Sequence, residues 1–235
     1  MAKSPLGKLA PSAIGMMELP RLDAKVLAAF RALGDLTGTT SDALDELGIA
    51  GAVPASLLKP TDPRARVVGQ AITVLNRAVS ERRTVSGLAD IEAHNLAQPG
   101  DVLVVQGVPN ISSMGGVSAT VGKRQGEAGA IVDGAVRDID HSRAIGYPIW
   151  SASVSPVTGK WRIETMAVND AVHIAGVAVR PGDLVIADEC GVCFVPYARA
   201  ADVLALAERL ASSEAKRLKA LADGISLAEF IRLPR

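Results

Sequence analysis

Apolar positions recur at helical spacing in some stretches of this chain and in short unbroken runs in others, and the two patterns alternate. LDAKVLAAFRAL (22–33) places its apolar residues three and four apart, which predicts a helix. TTSDALDELG (39–48) predicts an N-capped helix, with Thr40 or Ser41 as cap, acids in the first turn and Gly48 as the stop. ARVVGQAITVLN (65–76) predicts a strand with a glycine kink. GLADIEAHNLAQPGD (87–101) predicts a helix closed by Pro-Gly, and DVLVVQG (101–107) a buried strand. VPNISSMGG (108–116) breaks the pattern as a Ser/Gly/Asn-rich loop, and VSATVGKRQGEAG (117–129) predicts a small-residue helix able to pack closely on a sheet. AIVDG (130–134) is the next strand, DIDHSRAIGYP (138–148) a short helix, and IWSASV (149–154) another strand. From residue 160 the pattern turns β-rich, and ARAADVLALAERLASSEAKRLKALADG (198–224) predicts a long amphipathic helix stopped near Gly224.

This alternation predicts an α/β fold in a single domain at 23–235. Residues 1–22 hold three prolines and mixed polarity, and predict an N-terminal arm. QPGDVLVV (98–105) and RPGDLVIA (180–187) echo each other, which fits two Pro-Gly turns with Asp opening a strand rather than a repeat fold.

Composition narrows the classes. The chain has 235 residues, enough for one large domain with a sizeable core. It is 49% hydrophobic but only 3% aromatic, so small side chains carry the packing. Lys plus Arg and Asp plus Glu both number 25, and no basic stripe stands out, which argues against nucleic acid as a partner. No apolar run approaches membrane-span length, and the first residues lack a signal-peptide pattern, so a soluble cytoplasmic protein is expected. Cys190 and Cys193 form a lone C-x-x-C in an apolar context; with no second pair for zinc, both are expected to be buried structural residues.

The chemistry concentrates between 106 and 141. A glycine-rich loop ends at a helix N-terminus, where free N–H groups favour an anion, and Gly115-Gly116 lets the backbone approach closely. The turn after the next strand carries Arg137, a planar fork for a carboxylate, and Asp138, a hard oxygen ligand for Mg²⁺ or Mn²⁺. If the two strands are neighbours, loop and turn share one edge. Arg137 then holds an oxyanion while Asp138 holds a cation; the alternative is a surface ion pair at a strand end. His141 is read as a proton shuttle or, alternatively, as a capping residue; His94 and His173 are read as structural. Asp42 and Glu46 are expected to cap and solvate their helix, and Trp161 and Arg162 to border a pocket or simply to pack.

DGAVRDID, preceded by GGVSATVGKRQGEAGAIV and followed by GYPIWS, resembles the core signature of the family of regulator of ribonuclease activity A and 4-hydroxy-4-methyl-2-oxoglutarate aldolase. TTSDALDELG, ARVVGQAITV, PGDVLVV and GVAVRPGDLVIADECGVCFVP agree in order, so the resemblance covers about residues 35 to 215. It implies a compact α/β/β/α sandwich assembled as a homotrimer or homohexamer, with sites at subunit interfaces. It also implies a divalent-metal-dependent lyase, with Mg or Mn as cofactor, acting on a small 2-keto acid. The implied reaction is a retro-aldol cleavage through pyruvate enolate, with oxaloacetate decarboxylation as a side activity. Carried over by motif, Asp138 binds the metal, Arg137 contacts the pyruvyl oxygens, and the backbone of Met114, Gly115, Gly116 and Val117 cradles the carboxylate. Glu214 is the candidate acid contributed by a neighbouring subunit. Two positions depart from the pattern: Gly116 and Gln106 stand where many aldolase members carry acids, which is expected to weaken metal binding or change the proton relay. Two other readings therefore stay open. One is a non-catalytic regulator that inhibits an RNA-processing enzyme by protein–protein contact. The other is a lyase or hydrolase of different substrate scope on the same scaffold.

Overall fold

The structure is a computed structural model and describes residues 3–233; the outermost residues of the arm and of the domain end, 1–2 and 234–235, lie outside the described residues. In chain order the elements are α1 (Ala24–Arg31), α2 (Leu36–Glu46), β1 (Ala52–Pro54), β2 (Lys59–Pro60), β3 (Val67–Ala78), α3 (Asp90–Leu96), β4 (Val102–Gln106), β5 (Ser112–Met114), α4 (Gly116–Gln125), β6 (Gly129–Val136), α5 (Ile139–Ala144), β7 (Ile149–Val154), β8 (Ile163–Val168), β9 (Val172–Ile174), β10 (Val177–Val179), β11 (Leu184–Asp188), β12 (Gly191–Val195), α6 (Ala200–Ala222) and α7 (Leu227–Phe230).

The long strand β3 belongs to two sheets. Its first residues pair antiparallel with β11, Gln70 opposite Leu184, and the next ones pair parallel with β4, Ala71 opposite Val102. Just before the changeover stands Gly69, where a Cβ would run into the Gly100 carbonyl. On one side the order continues β4-β6-β7, all parallel, and on the other β11-β12-β1, antiparallel.

Three apolar cores follow from the two-residue period of these strands. Ile72, Leu103, Val105, Ala130 and Val132 face α3 and α4 with Ala93, Leu96 and Ala119. Their chain neighbours Ala71, Val102, Val104 and Ile131 face the opposite way, onto Val185, Ala187, Val192 and Phe194 of the second sheet. The other face of that second sheet, with Leu184, Ile186, Cys193 and Val195, packs on α1, α2 and α6 through Phe30, Leu36, Leu44 and Val203. The result is helix, sheet, sheet, helix, the expected four-layer α/β/β/α sandwich with a long C-terminal helix. Among the described residues no helix is long and apolar enough to cross a membrane.

The arm straps the molecule instead of hanging free. Glu92 of α3, fully buried, accepts the backbone N–H groups of Leu6 (2.8 Å) and Lys8 (2.5 Å). Ile14 and Leu19 enter the α3–α4 core. Both Pro-Gly-Asp turns close alike: the Asp101 carboxylate accepts the Gln98 N–H and the Asp183 carboxylate accepts the Arg180 N–H, each at 2.8 Å.

Three expectations need correction. The second helix begins at Leu36, and its cap is Asp35, whose carboxylate accepts the Gly38 N–H at 3.1 Å. Thr40 lies inside the helix, with its hydroxyl on the Leu36 carbonyl. The loop 108–116 contains the short strand β5, because β6 runs two residues past the AIVDG stretch, through Ala135 and Val136, and offers it a partner. Cys193 is buried, with burial pushing its thiol up to about 12, but Cys190 is exposed in the β11–β12 turn. The pair therefore splits between core and turn.

The corrected cap is testable. Asp35→Ala should lower unfolding stability by about 1 kcal/mol, whereas Ser41→Ala should stay within about 0.5 kcal/mol of the parent, both read from urea unfolding curves.

Candidate active site

Parallel pairing of β4 with β6 brings Gln106 opposite Asp133, so the segments that follow both strands leave the same sheet edge. Short β5 then lies beside the end of β6, with Met114 opposite Val136, and the Arg137 N–H bonds to the Met114 carbonyl at 3.1 Å. This places the turn 137–138 against the N-terminus of α4.

Two features shape the contact. Asp138 adopts a left-handed conformation, φ 54° and ψ 38°, which Asp tolerates better than most residues and which is often retained at functional sites. Its carboxylate Oδ2 accepts the Gly116 N–H at 2.9 Å, so an acid from outside the helix caps α4 and complements its dipole. Gly115, at the N-cap of α4, has no side-chain cap; a Cβ there would lie 2.7 Å from Asp138 Oδ2 and 3.1 Å from Arg137 Nε. Glycine at 115 therefore makes room for the pair. Arg137 Nε stands 3.5 Å from Asp138 Oδ2, with both side chains about half exposed. A surface ion pair alone does not describe this turn, because the same carboxylate oxygen serves a helix end.

The Val117 and Ser118 N–H groups, next along that helix end, have no hydrogen-bond acceptor among the described residues. They face a cleft of about 420 Å³ whose walls include Met114 to Ser118, Arg137, Asp138, Asp90, Lys8 and Lys160. Of the residues expected in the cradle, Gly116 has its N–H taken by Asp138, and Met114 is buried, with its carbonyl shared by Arg137 N–H and Ser112 hydroxyl. Ser118, which the motif reading passed over, supplies the second open N–H.

The remaining candidates separate. His141 Nε2 lies 2.9 Å from Thr120 Oγ1, whose hydroxyl donates to the Gly116 carbonyl, so this ring ties α5 to α4. Gln106 Oε1 accepts the His173 N–H and Asp133 Oδ2 accepts the Ala175 N–H, so both strand-end side chains hold the β9–β10 hairpin. Trp161 is stacked between Arg82 and Lys160, at 4.5 and 5.3 Å. Glu214 lies on the opposite helical layer, in a groove with Asp42, Glu46 and Arg217, apart from Arg137 and Asp138 of the same chain.

Beneath the cleft floor runs a buried polar chain that spacing did not reveal. Ser118 Oγ donates to Asp90 Oδ2 at 2.7 Å and lies 2.8 Å from His94 Nε2. His94 Nδ1 is 2.8 Å from Glu127 Oε1, and the Tyr147 hydroxyl donates to Glu127 Oε2 at 2.6 Å. The single serine proton goes to Asp90, so Nε2 must donate to Ser118, and Nδ1 faces a carboxylate. A proton on each ring nitrogen would satisfy both partners, so these surroundings favour the imidazolium form of His94. Burial works against that charge, but the Glu127 hydrogen bond and the Glu127 and Asp90 charges outweigh it and raise the His94 pKa. Burial and the Glu127 charge push the Tyr147 hydroxyl well up, keeping it a neutral donor.

A raised histidine pKa stabilises the fold fully below the ordinary value of 6.5, and that contribution is lost as pH rises through the raised value. The gap in urea midpoint between the parent and His94→Gln should thus be widest in mildly acidic buffer and narrow toward alkaline pH. A gap independent of pH would contradict the imidazolium assignment.

Similarity to known proteins agrees with this architecture. The RraA-like family model, described as Aldolase/RraA, matches residues 37–194. A Halalkalibacterium halodurans protein with a provisional 4-hydroxy-4-methyl-2-oxoglutarate aldolase name is 33% identical over 193 residues, 80% of this chain and 86% of that protein. A crystal structure of an uncharacterized Pseudomonas syringae pv. tomato protein superposes with a TM-score of 0.77 at 28% identity, covering 90% of this chain and 98% of that one. Another, of an unusual member of the RNase ES inhibitor RraA protein family from Streptomyces coelicolor, gives 0.74 at 28% identity, covering 88% and 100%. With a family match spanning both sheets and the Arg137–Asp138 turn, this chain belongs to the RraA-like, or Aldolase/RraA, family.

Proposed function

We propose that the chain is a divalent-metal-dependent carbon–carbon lyase acting on a small 2-keto acid. The observation that carries this reading is the Arg137–Asp138 turn docked on the N-terminus of α4, with two open N–H groups beside it. The aldolase name of the Halalkalibacterium relative supports it.

The donor set suits one kind of metal. Asp138 Oδ2 is engaged by Gly116, while Oδ1 has no hydrogen-bond partner among the described residues. No three His, Cys, Asp or Glu side chains converge as a metal cage among them. That does not suit a four-ligand structural zinc, but it fits Mg²⁺ or Mn²⁺, which accept one carboxylate and complete their shell with water and ligand oxygens. Asp138 would hold the ion, which when bound would supply Lewis-acid stabilisation of negative charge on the keto oxygen. With Gln106 bound to the hairpin and no side chain at Gly116, few acids surround it, so binding should be weak.

The protein's own groups do the rest. The Val117 and Ser118 N–H groups, at the positive end of the α4 dipole, bind the substrate carboxylate. Arg137 places its guanidinium against the 2-keto oxygen, where charge grows as the C–C bond breaks toward pyruvate enolate. Lys8 and Lys160 on the cleft walls add positive potential that attracts a dicarboxylate. The same enolate arises when oxaloacetate loses carbon dioxide, so that decarboxylation is the expected side activity.

The reading includes assembly into trimers or hexamers. Val117 stays 83% exposed beside the site, and Glu214 of a neighbouring copy is the acid proposed to complete it. The second reading, inhibition of an RNA-processing enzyme by surface contact, draws on the likeness to the Streptomyces protein.

Pyruvate release decides between them. Protein supplied with 4-hydroxy-4-methyl-2-oxoglutarate or oxaloacetate should release pyruvate with Mg²⁺ or Mn²⁺, not with chelator, and Asp138→Asn should abolish it. No pyruvate from either substrate, in protein shown to be folded, would favour the regulator. Arg137→Ala should lower kcat by about 100-fold or more for both substrates, while leaving the urea midpoint nearly unchanged because the side chain is half exposed.

A further inference from the structure

The retro-aldol reaction needs a group to take the proton from the substrate's 4-hydroxyl. The positions where relatives were expected to carry acids hold Gly116 and Gln106 here, and Gln106 is committed to the His173 N–H. Another carboxylate lines the same cleft from a different wall. Asp90 is the first residue of α3 and lines the same cleft as Arg137 and Asp138, with its side chain 22% exposed. Its Oδ2 accepts the Ser118 hydroxyl, and its Oδ1 has no hydrogen-bond partner among the described residues.

The surroundings fix this carboxylate in place. Ser118 is held by His94, which is held by Glu127, which is held by the Tyr147 hydroxyl. His94 and Glu127 are almost fully buried, so the chain of bonds is shielded from water. His94 Nε2 also stands 3.8 Å from Asp90 Oδ2. The Ser118 hydroxyl thus joins α4 to α3 through both His94 and one oxygen of Asp90. Ser118 also gives one of the two open N–H groups of the carboxylate cradle, so substrate and Asp90 are positioned by a single residue.

We propose that Asp90 is the general base and acid of the cleavage, and that Ser118, His94 and Glu127 are its positioning residues. This inference rests on the lyase reading. The Asp90 carboxylate takes the proton of the 4-hydroxyl. The O–H bonding pair becomes the second bond of the new carbonyl at C4. The C3–C4 pair moves to form the C2–C3 double bond, and the C2 carbonyl pair moves onto oxygen as the enolate. Asp90 then returns the same proton to C3, giving pyruvate and the second carbonyl product. No external oxidant or reductant is needed.

The two reactions of the site separate this role from a structural one. Cleavage of 4-hydroxy-4-methyl-2-oxoglutarate requires hydroxyl deprotonation, and decarboxylation of oxaloacetate does not. Asp90→Asn, which still accepts from Ser118, should lower kcat for cleavage by about 100-fold or more and lower decarboxylation far less, because without a 4-hydroxyl Asp90 collects no proton and the enolate takes its C3 proton from water in parent and variant alike. Asp90→Glu, which restores a carboxylate, should recover part of the cleavage. A parallel loss of both reactions, or undiminished cleavage, in Asp90→Asn would overturn the proposal. Asp90→Glu serves as the reporter if Asp90→Asn fails to fold, since a general base moved by one methylene must slow cleavage more than decarboxylation. A parent protein that performs neither reaction would overturn the lyase reading and this proposal with it, an outcome seen without any variant.

Discussion

One strand that must satisfy two sheets governs this molecule. Residues 67–70 of β3 pair antiparallel with β11 and residues 71–75 pair parallel with β4. Nearly every β3 side chain is therefore buried, those before the crossing against the α1–α6 layer or between the sheets, those after it between the sheets or under α3. Each buried polar residue along it has a hydrogen-bond partner: Thr73 donates to the Asp170 carbonyl, Asn76 Oδ1 accepts the Thr165 hydroxyl, and Gln70, at the crossing, accepts the Leu22 N–H and donates to the Pro20 and Gly182 carbonyls. The arm and the β10–β11 turn are thus tied to the crossing, and the layer order follows from it.

The cleft inherits its geometry from this frame through a competition for one carboxylate. β4 and β6 sit side by side, β5 extends the edge, and α4 begins where β5 ends. Asp138 then faces an uncapped helix end and a guanidinium at once. Capping engages Oδ2 and leaves Oδ1 without a hydrogen-bond partner among the described residues. Opposite charges adjacent in sequence at a strand end are consistent with this division.

Charge is managed differently below the cleft. The buried Glu127 carboxylate is paired with His94 and Tyr147, and the part-exposed Asp90 carboxylate with Ser118, so the His94 ring has an acid on each side. Glu92, on the same helix, turns the other way and anchors the arm by two backbone N–H groups. The short helix α3 therefore sends three polar side chains to three destinations: Asp90 to the cleft, His94 to the interior and Glu92 to the strap.

Much of this was legible in the residues. Unbroken apolar runs such as DVLVV and AIVDG located the strands because a strand buried on both faces tolerates little else, and glycine spacing marked α4 and the loop before it. Loop and turn were expected to share one edge because both follow strands, and Arg137 and Asp138 do stand beside the N-terminus of α4. The cap of α2 was misplaced because Thr40, Ser41 and Asp35 all have N-cap chemistry, and which one precedes the first turn depends on Thr37 reaching Asp188, 151 residues away. β5 has only three residues and exists because β6 continues beside it. Cys190 and Cys193 look alike in sequence, yet one sits in a turn and the other on a core-facing strand position. Ser118, His94 and Glu127 carry no shared motif: their spacings of 24 and 33 residues mean nothing until α3 and α4 pack on one sheet face. Local pattern encodes which way each segment turns its apolar side; the meeting of polar groups from distant segments is set by how the layers close.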